Sequence, residues 1–274
     1  MELRGARAII TGGSSGIGLS TAIELARAGA EVALVARDAD RLERAKAVVE
    51  AARLSPDSRV LTVSADLSRF ESARQAIDRL ADQDFAPDIL INSAGVIVPG
   101  EFEKLSTEEF MRNLEHGFLS VVWPCKAAVP HMLAAGRGHI VNVSSVAGFL
   151  GIYGYTSYSA AKYATMGFTE ALRFEMKPHG VSVHVVCPPD TDTPALEYEK
   201  RLRPPETEAI SGNIKAIAPA RVAEAIVSGI QRNRYYIIPD AQSRFYFRLK
   251  GLLPEVFFSI VDGDIRKVRA AKRT

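Results

Sequence analysis

The chain has 274 residues, 47% hydrophobic and 24% charged, and its 34 basic and 32 acidic side chains leave a net charge of +2. That is enough apolar material for one sizeable core, which excludes a disordered chain, and the charge is too balanced for a general nucleic-acid binder. Cys125 and Cys187 lie far apart with no CxxC, and the five histidines show no HExxH-type spacing, so neither a disulfide scaffold nor a metal site is expected.

A strand-like run follows Met1 within a few residues, leaving no room for a signal peptide, and no apolar run reaches the ~18 residues of a spanning helix. A soluble cytoplasmic protein is the expectation. In chain order, Ala8–Ile10 reads as a short buried strand, and a helix runs from Ile17 to Ala28, stopped by Gly29. Glu31–Ala36 is a second strand and Arg41–Arg53 a helix with a charged outer face. Val60–Val63, Glu71–Ala81 and Asp88–Ile91 continue as strand, helix and strand. Thr107–Ala135 reads as a long helix that Pro124 and Pro130 bend or segment. His139–Val143 is a strand and Ser157–Met176 a helix, ended by Pro178 and Gly180. Val181–Val186 is a strand, residues 221–231 a short helix and Tyr235–Ile238 a last strand.

Strands that are apolar throughout are buried on both faces, and their alternation with helices implies right-handed βαβ units. The expected fold is α/β: seven parallel strands in one doubly wound sheet with helices on both faces. Two segments break the rhythm. Residues 188–220 hold six prolines and read as a long loop or lid over a substrate. Residues 241–261 are aromatic-rich, and a basic tail follows. The division expected is a main domain over 1–240 and an extension over 241–274.

Thr11-Gly-Gly-Ser-Ser-Gly-Ile-Gly18 lies between the first strand and the first helix. Gly12, Gly16 and Gly18 permit a tight turn against a pyrophosphate, with Ser14, Ser15 and Ile17 adding backbone at the helix N-terminus, where free N–H groups meet anions. After the second strand, where an NAD-selective site carries an acid, stand Ala36 and Arg37, with Arg41 one turn on. Arg37 can meet a 2′-phosphate, so NADPH/NADP+ is the expected cofactor. Asp66, beside Leu67, can accept from an adenine amino group, cap a helix near 66–68, or do both.

Tyr158 and Lys162 form a YxxxK pair on one helical face. An ammonium nearby lowers a tyrosine pKa, and such a tyrosine can give a proton to a carbonyl oxygen that is receiving hydride. Ser145, after the strand ending at Val143, can hydrogen-bond the same oxygen; Ser144 reads as a turn residue.

Taken together, these residues resemble the short-chain dehydrogenase/reductase family over about residues 5–240: TGGSSGIG at 11–18, Asp66, Asn92-Ser-Ala-Gly95, Ser145 and Tyr158/Lys162. The resemblance implies a single Rossmann domain and catalytic roles for Ser145, Tyr158 and Lys162, the lysine also holding the nicotinamide ribose. It implies that Asn92, Ala94 and Gly95 brace the sheet and line the cofactor site. Pro188, Thr191 and Thr193 fall in the segment near the carboxamide, with Pro189 where glycine is usual. The family's further catalytic asparagine falls on Gly117. Asn113, one turn earlier, is read as structural; Asn113, His116 or water alone is left to fill that role.

Three stretches are similar to one subgroup, the 3-ketodihydrosphingosine reductases: Leu34–Arg37 with Arg41, Gly154–Lys162 and Pro188–Pro194. The implied reaction is NADPH-dependent reduction of the 3-keto group of a long-chain amino ketone to sphinganine. Another lipid-directed or steroid-like ketone reductase is the alternative, and a non-catalytic dinucleotide-binding protein a third. A lipid-like ketone suits an apolar channel. Residues 241–261 are read either as a peripheral membrane-interfacial segment or as packing within the fold or a dimer. Asp190 or Asp192 can meet a substrate ammonium or cap the proline-rich turn locally. Relatives' assembly implies a homodimer or homotetramer.

Overall fold

The computed structural model describes residues 1–211 and 215–271. Residues 212–214 and 272–274, parts of the expected lid and tail, lie outside the described residues. The strands are β1 (Arg7–Thr11), β2 (Glu31–Ala36), β3 (Val60–Ser64), β4 (Ile89–Asn92), β5 (Gly138–Val143), β6 (Val181–Val186) and β7 (Tyr236–Ile237). The helices are α1 (Gly16–Arg27), α2 (Ala39–Ala52), α3 (Phe70–Ala81), α4 (Thr107–Leu114), α5 (Ser120–Ala135), α6 (Thr156–Met176), α7 (Pro194–Lys200), α8 (Pro205–Ser211), α9 (Pro219–Gln231), α10 (Ala241–Leu252) and α11 (Pro254–Ala271).

All seven strands pair in parallel in the order β3-β2-β1-β4-β5-β6-β7. Alternate residues of each strand feed opposite cores, which is why the strands are apolar throughout. Ile10, Leu34 and Ile91 pack with Leu25 of α1, Val49 of α2 and Ile226 of α9. Ile9, Val35 and Leu90 pack with Ile77 of α3, Met132 of α5 and Leu172 of α6. Strand order reverses between β1 and β4, where Thr11 pairs with both Val35 and Asn92. The loops leaving those strands diverge and open a crevice at their C-terminal ends.

Three sequence expectations change. The Thr107–Ala135 stretch breaks not at its prolines but at a π turn, Glu115–Leu119, and α5 carries Pro124 and Pro130 inside it. Tertiary contact accompanies this: a Cβ on Gly117 would lie 3.1 Å from the Ala161 side chain, so glycine eases the close approach of the turn to α6. The same stretch is long and apolar enough to cross a membrane by length and composition, although no such run was expected. It lies along the sheet, with Cys125, Ala128 and Met132 in the core. The segment 188–220 is not one long loop: Thr193 caps α7 with Pro194 at its first turn, and α8 follows.

Candidate active site

The crevice holds a cavity of about 660 Å³. At one end Gly12, Ser14, Ser15, Gly16 and Ile17 form its floor. Gly12 has φ +65°, and a Cβ there would sit 2.8 Å from both Ala94 N and Ser93 O. Thr11 Oγ1 ties the two loops together, accepting from Ser93 N (3.1 Å) and Ala94 N (3.3 Å). Gly18 does not line the cavity: its Cβ would fall 2.4 Å from Gly12 O, so its part is close packing of loop on helix. Ser15, the N-cap of α1, makes no side-chain cap bond, and the first turn has no acid. The helix N–H groups and positive dipole end thus fit an anion.

Arg37 and Arg41 line the rim, both exposed. Asp38, which sequence reasoning passed over, caps α2 through Arg41 N (3.0 Å) and lies 3.4 Å from Arg41 Nε. Its own helix engages that carboxylate. Asp66 Oδ1 accepts from Ser68 N (3.1 Å) and Ser68 Oγ (2.8 Å), so it caps a local turn, while Arg69 is the N-cap of α3. Burial works to raise the Asp66 carboxyl, but the Ser68 bonds and neighbouring His116 and Arg37 hold it below its ordinary value. Burial and Arg37 push His116 down. Leu67, Ala94 and Gly95 complete this end.

At the other end α6 carries Tyr158, half-buried, and Lys162, 5% exposed. Lys162 Nζ donates to Val143 O (3.1 Å) and lies 5.7 Å from the Tyr158 ring centroid. One bond made out of three possible, beside Gly95 at 3.7 Å from a Cβ there, fits a cation that also holds a ribose hydroxyl. Burial pushes the Lys162 ammonium down to about 8. Ser145 lines the cavity with Tyr158, and its Oγ accepts from Ala147 N at 3.1 Å. Ser144 is buried and donates to Lys162 O (2.9 Å), a structural tie. The Tyr158 phenol is raised, not lowered: burial is the main cause, Glu199 and Asp190 add to it, and Ser145 and Arg203 oppose it. Lys162 sits over the ring rather than at the hydroxyl.

Asn92 does not line the cavity. Fully buried, it donates to Asn142 Oδ1 (2.9 Å) and Cys125 Sγ (3.1 Å), and Asn142 donates on to Thr169 Oγ1 (3.0 Å). This chain braces β4, β5, α5 and α6 from behind, and burial pushes the Cys125 thiol up to about 12. Asn113 is likewise engaged: Oδ1 accepts from Val98 N, and Nδ2 donates to Val98 O and Ser157 Oγ. Pro188, Thr191 and Thr193 line the cavity; Pro188 O accepts from Val146 N (3.0 Å). Asp190 lines it too, paired with Arg203, whereas Asp192 is exposed and off the wall.

Sequence reasoning did not single out Tyr155 or Glu199; it left 241–261 open between membrane contact and packing, and Tyr246, Phe257, Ile260 and Val261 of that segment form the cavity's far wall. The available signal was the Glu199/Arg203 pair at helical i,i+4 spacing inside a presumed loop. α10 is latched on by Lys250 Nζ, which donates to Phe149 O (2.6 Å) and Tyr163 Oη (2.5 Å). Phe245, Leu252, Leu253, Val256 and Phe258 stay exposed on the outside of this helix pair.

Residues 6–203 match the family model described as short chain dehydrogenase. The chain is 41% identical to 3-ketodihydrosphingosine reductase of Bos taurus over 228 residues, 83% of this chain and 69% of that protein. It is 34% identical to 3-ketodihydrosphingosine reductase of Dictyostelium discoideum, over 95% of this chain and 82% of that one. Levodione reductase superposes with a TM-score of 0.79 at 26% identity, covering 88% of this chain and 99% of its own. A Burkholderia phymatum short chain dehydrogenase/reductase, solved in complex with NAD, shares the fold with a TM-score of 0.82 at 24% identity, covering 93% and 96%.

Proposed function

This chain belongs to the short chain dehydrogenase family, and from that premise we propose that it reduces the 3-keto group of 3-ketodihydrosphingosine to sphinganine with NADPH. It is an oxidoreductase acting on a keto or hydroxyl group, with a nicotinamide dinucleotide as cofactor. One observation carries the finer reading. A single cavity joins an anion-ready glycine loop rimmed by Arg37 and Arg41, the Ser145–Tyr158–Lys162 set, and an apolar wall from α10 and α11.

Gly12 and Ser14–Ile17 would hold the pyrophosphate, and Arg37 and Arg41 the 2′-phosphate. Asp66 and Leu67 would flank the adenine. Ala94, Gly95 and Lys162 would meet the nicotinamide ribose, and Pro188, Thr191 and Thr193 the carboxamide side. When bound, the reduced nicotinamide supplies hydride. Tyr158 gives its proton to the ketone oxygen, which Ser145 also hydrogen-bonds. The phenol is protonated at neutral pH, as a donor must be, although burial makes it a weaker acid than an ordinary tyrosine. The aliphatic chain would lie along Tyr246, Phe257, Ile260 and Val261.

The same reading takes the exposed apolar face of α10–α11, with Arg244 and Arg248, as a peripheral contact with the cytoplasmic face of a membrane. Met111, Tyr163 and Phe174, exposed on α4 and α6, suit a homodimer or homotetramer. The deciding assay follows NADPH absorbance with 3-ketosphinganine in detergent micelles, beside a soluble keto ester and a steroid ketone. Strong preference for the sphingoid ketone is expected; turnover of the other ketones alone overturns the substrate assignment.

A further inference from the structure

Beside Tyr158 the cavity wall carries two acids as well as Lys162. Asp190 and Glu199 both line it and share one guanidinium. Arg203 Nη1 donates to Asp190 Oδ2 (2.8 Å), and its Nε and Nη2 donate to Glu199 Oε1 (2.8 and 2.5 Å). The Arg203 side chain is 2% exposed, that of Glu199 9% and that of Asp190 24%. Glu208 approaches Arg203 at 3.6 Å from the solvent side. Two largely buried carboxylates against one cation make a costly arrangement that a further cation would relieve.

The two carboxylates are not equivalent. Glu199 Oε1 also accepts the Tyr155 hydroxyl, so one oxygen serves three donors. Asp190 accepts through Oδ2 alone and is the more open of the two. Its backbone is pinned: Ile217 N donates to Asp190 O (3.0 Å), Thr191 bridges to Ile217, and Pro188 and Pro189 precede it. Such a carboxylate is placed before any ligand arrives. It also shares the cavity with Tyr158. The Tyr155 ring packs edge-on to Tyr158 at 5.6 Å and gives its hydroxyl to Glu199, whose partner Arg203 holds Asp190.

We propose that Asp190, positioned by Arg203, receives the ammonium of a substrate whose amine adjoins the reacting ketone, and thereby selects amino ketones over neutral ones. This deepens the reductase reading and rests on it. The other acids fit less well. Asp192 is off the wall, Asp66 belongs to the Arg37 end, and Asp264 lies 3.1 Å from Lys267. A purely structural Asp190–Arg203 pair, tying the loop after β6 to the turn after α7, makes no distinction between ketones.

The test compares Asp190→Asn with the unaltered enzyme on 3-ketosphinganine and on the same ketone lacking the amine. Asparagine keeps an acceptor for Arg203 and removes the charge. The expected result is a kcat/KM loss about 10- to 100-fold larger for the amino ketone than for the neutral one, the scale of a charged hydrogen bond. Equal losses on both overturn the inference and leave the reductase reading intact. Failure of the unaltered enzyme to reduce either ketone overturns both. Should the variant not fold, the unaltered enzyme decides: beyond any alkaline change that both ketones share, KM for the amino ketone rises further as pH passes the substrate's own amine pKa. A parallel pH dependence for the neutral ketone overturns the assignment.

Discussion

Tyr158 and Lys162 occupy neighbouring turns of α6, yet burial moves their protons in opposite directions. The phenol is driven up and the ammonium down to about 8. Replacing Tyr158 with Phe should leave NADPH binding intact and lower kcat by about 10²–10⁴-fold; turnover near the unaltered level would show that another group donates the proton. Lys162 acts as a cation, and its folded-state value is depressed, so its charge is present below about pH 8 and lost above it. kcat/KM, which reports the free enzyme, should therefore fall as pH rises through about 8. A flat alkaline limb to pH 9 would contradict this. Arg37→Ala should raise KM for NADPH at least tenfold more than KM for NADH, and equal changes would defeat the 2′-phosphate assignment. At this scale the residues that meet at the cavity's glycine loop and around Tyr158 were legible, because glycines at fixed spacing and a YxxxK pair are local patterns. Gly18 and Asn92 were misplaced because local pattern does not say which face of a loop meets the cavity. Glu199 was missed because its importance comes from Arg203 and Tyr155 meeting it in space.

Among the elements, the strands were the most readable, since burial on both faces leaves an uninterrupted apolar run. α7 and α8 were hidden by prolines that break helices in their interiors but start them at the first turn. The π turn at Gly117 has no local signature at all; the glycine there eases the close approach to Ala161. One interaction between elements gives a stability prediction. His139 on β5 and His184 on β6 stack with ring centroids 5.2 Å apart and nitrogens 2.9 Å apart. Burial favours the neutral form of both rings and pushes His139 down to about 4. His184 Nδ1 meets Arg234 O at 2.7 Å and donates to it, so in the neutral ring Nε2 accepts from His139 Nδ1. The unfolded chain takes up protons below about pH 6.5 that the folded chain refuses. Stability present above that pH should decline as pH falls toward 4, by up to about 3 kcal/mol from this residue. Urea denaturation at pH 7.5 and 4.5 should show the loss, reduced in His139→Gln; identical losses in both proteins would remove the pair as its source.

For the molecule as a whole, the apolar wall and the exposed apolar face belong to the same helix pair. Phe257 is buried against Tyr246, while Leu252, Leu253, Val256 and Phe258 face outward. The protein should float with anionic liposomes, and Leu252→Ser with Phe258→Ser should reduce the bound fraction while NADPH affinity stays unchanged. Unaltered flotation in the double variant would place the contact elsewhere. This two-sidedness was beyond a linear reading. Residues 241–261 show an aromatic-rich stretch, and only its packing over Phe149 and Tyr163 separates the residues that turn inward from those that do not.

On the proposed membrane contact, the pairing of those two faces would change what concentration means for this enzyme. A ketone sliding from a lipid layer along α11 into the cavity would never enter bulk water, and the alcohol would leave by the same path. Rate would then follow the crowding of ketone within the surface, its mole fraction among lipids, and not the amount per litre. Adding inert detergent at constant total ketone would slow turnover as though substrate had been removed.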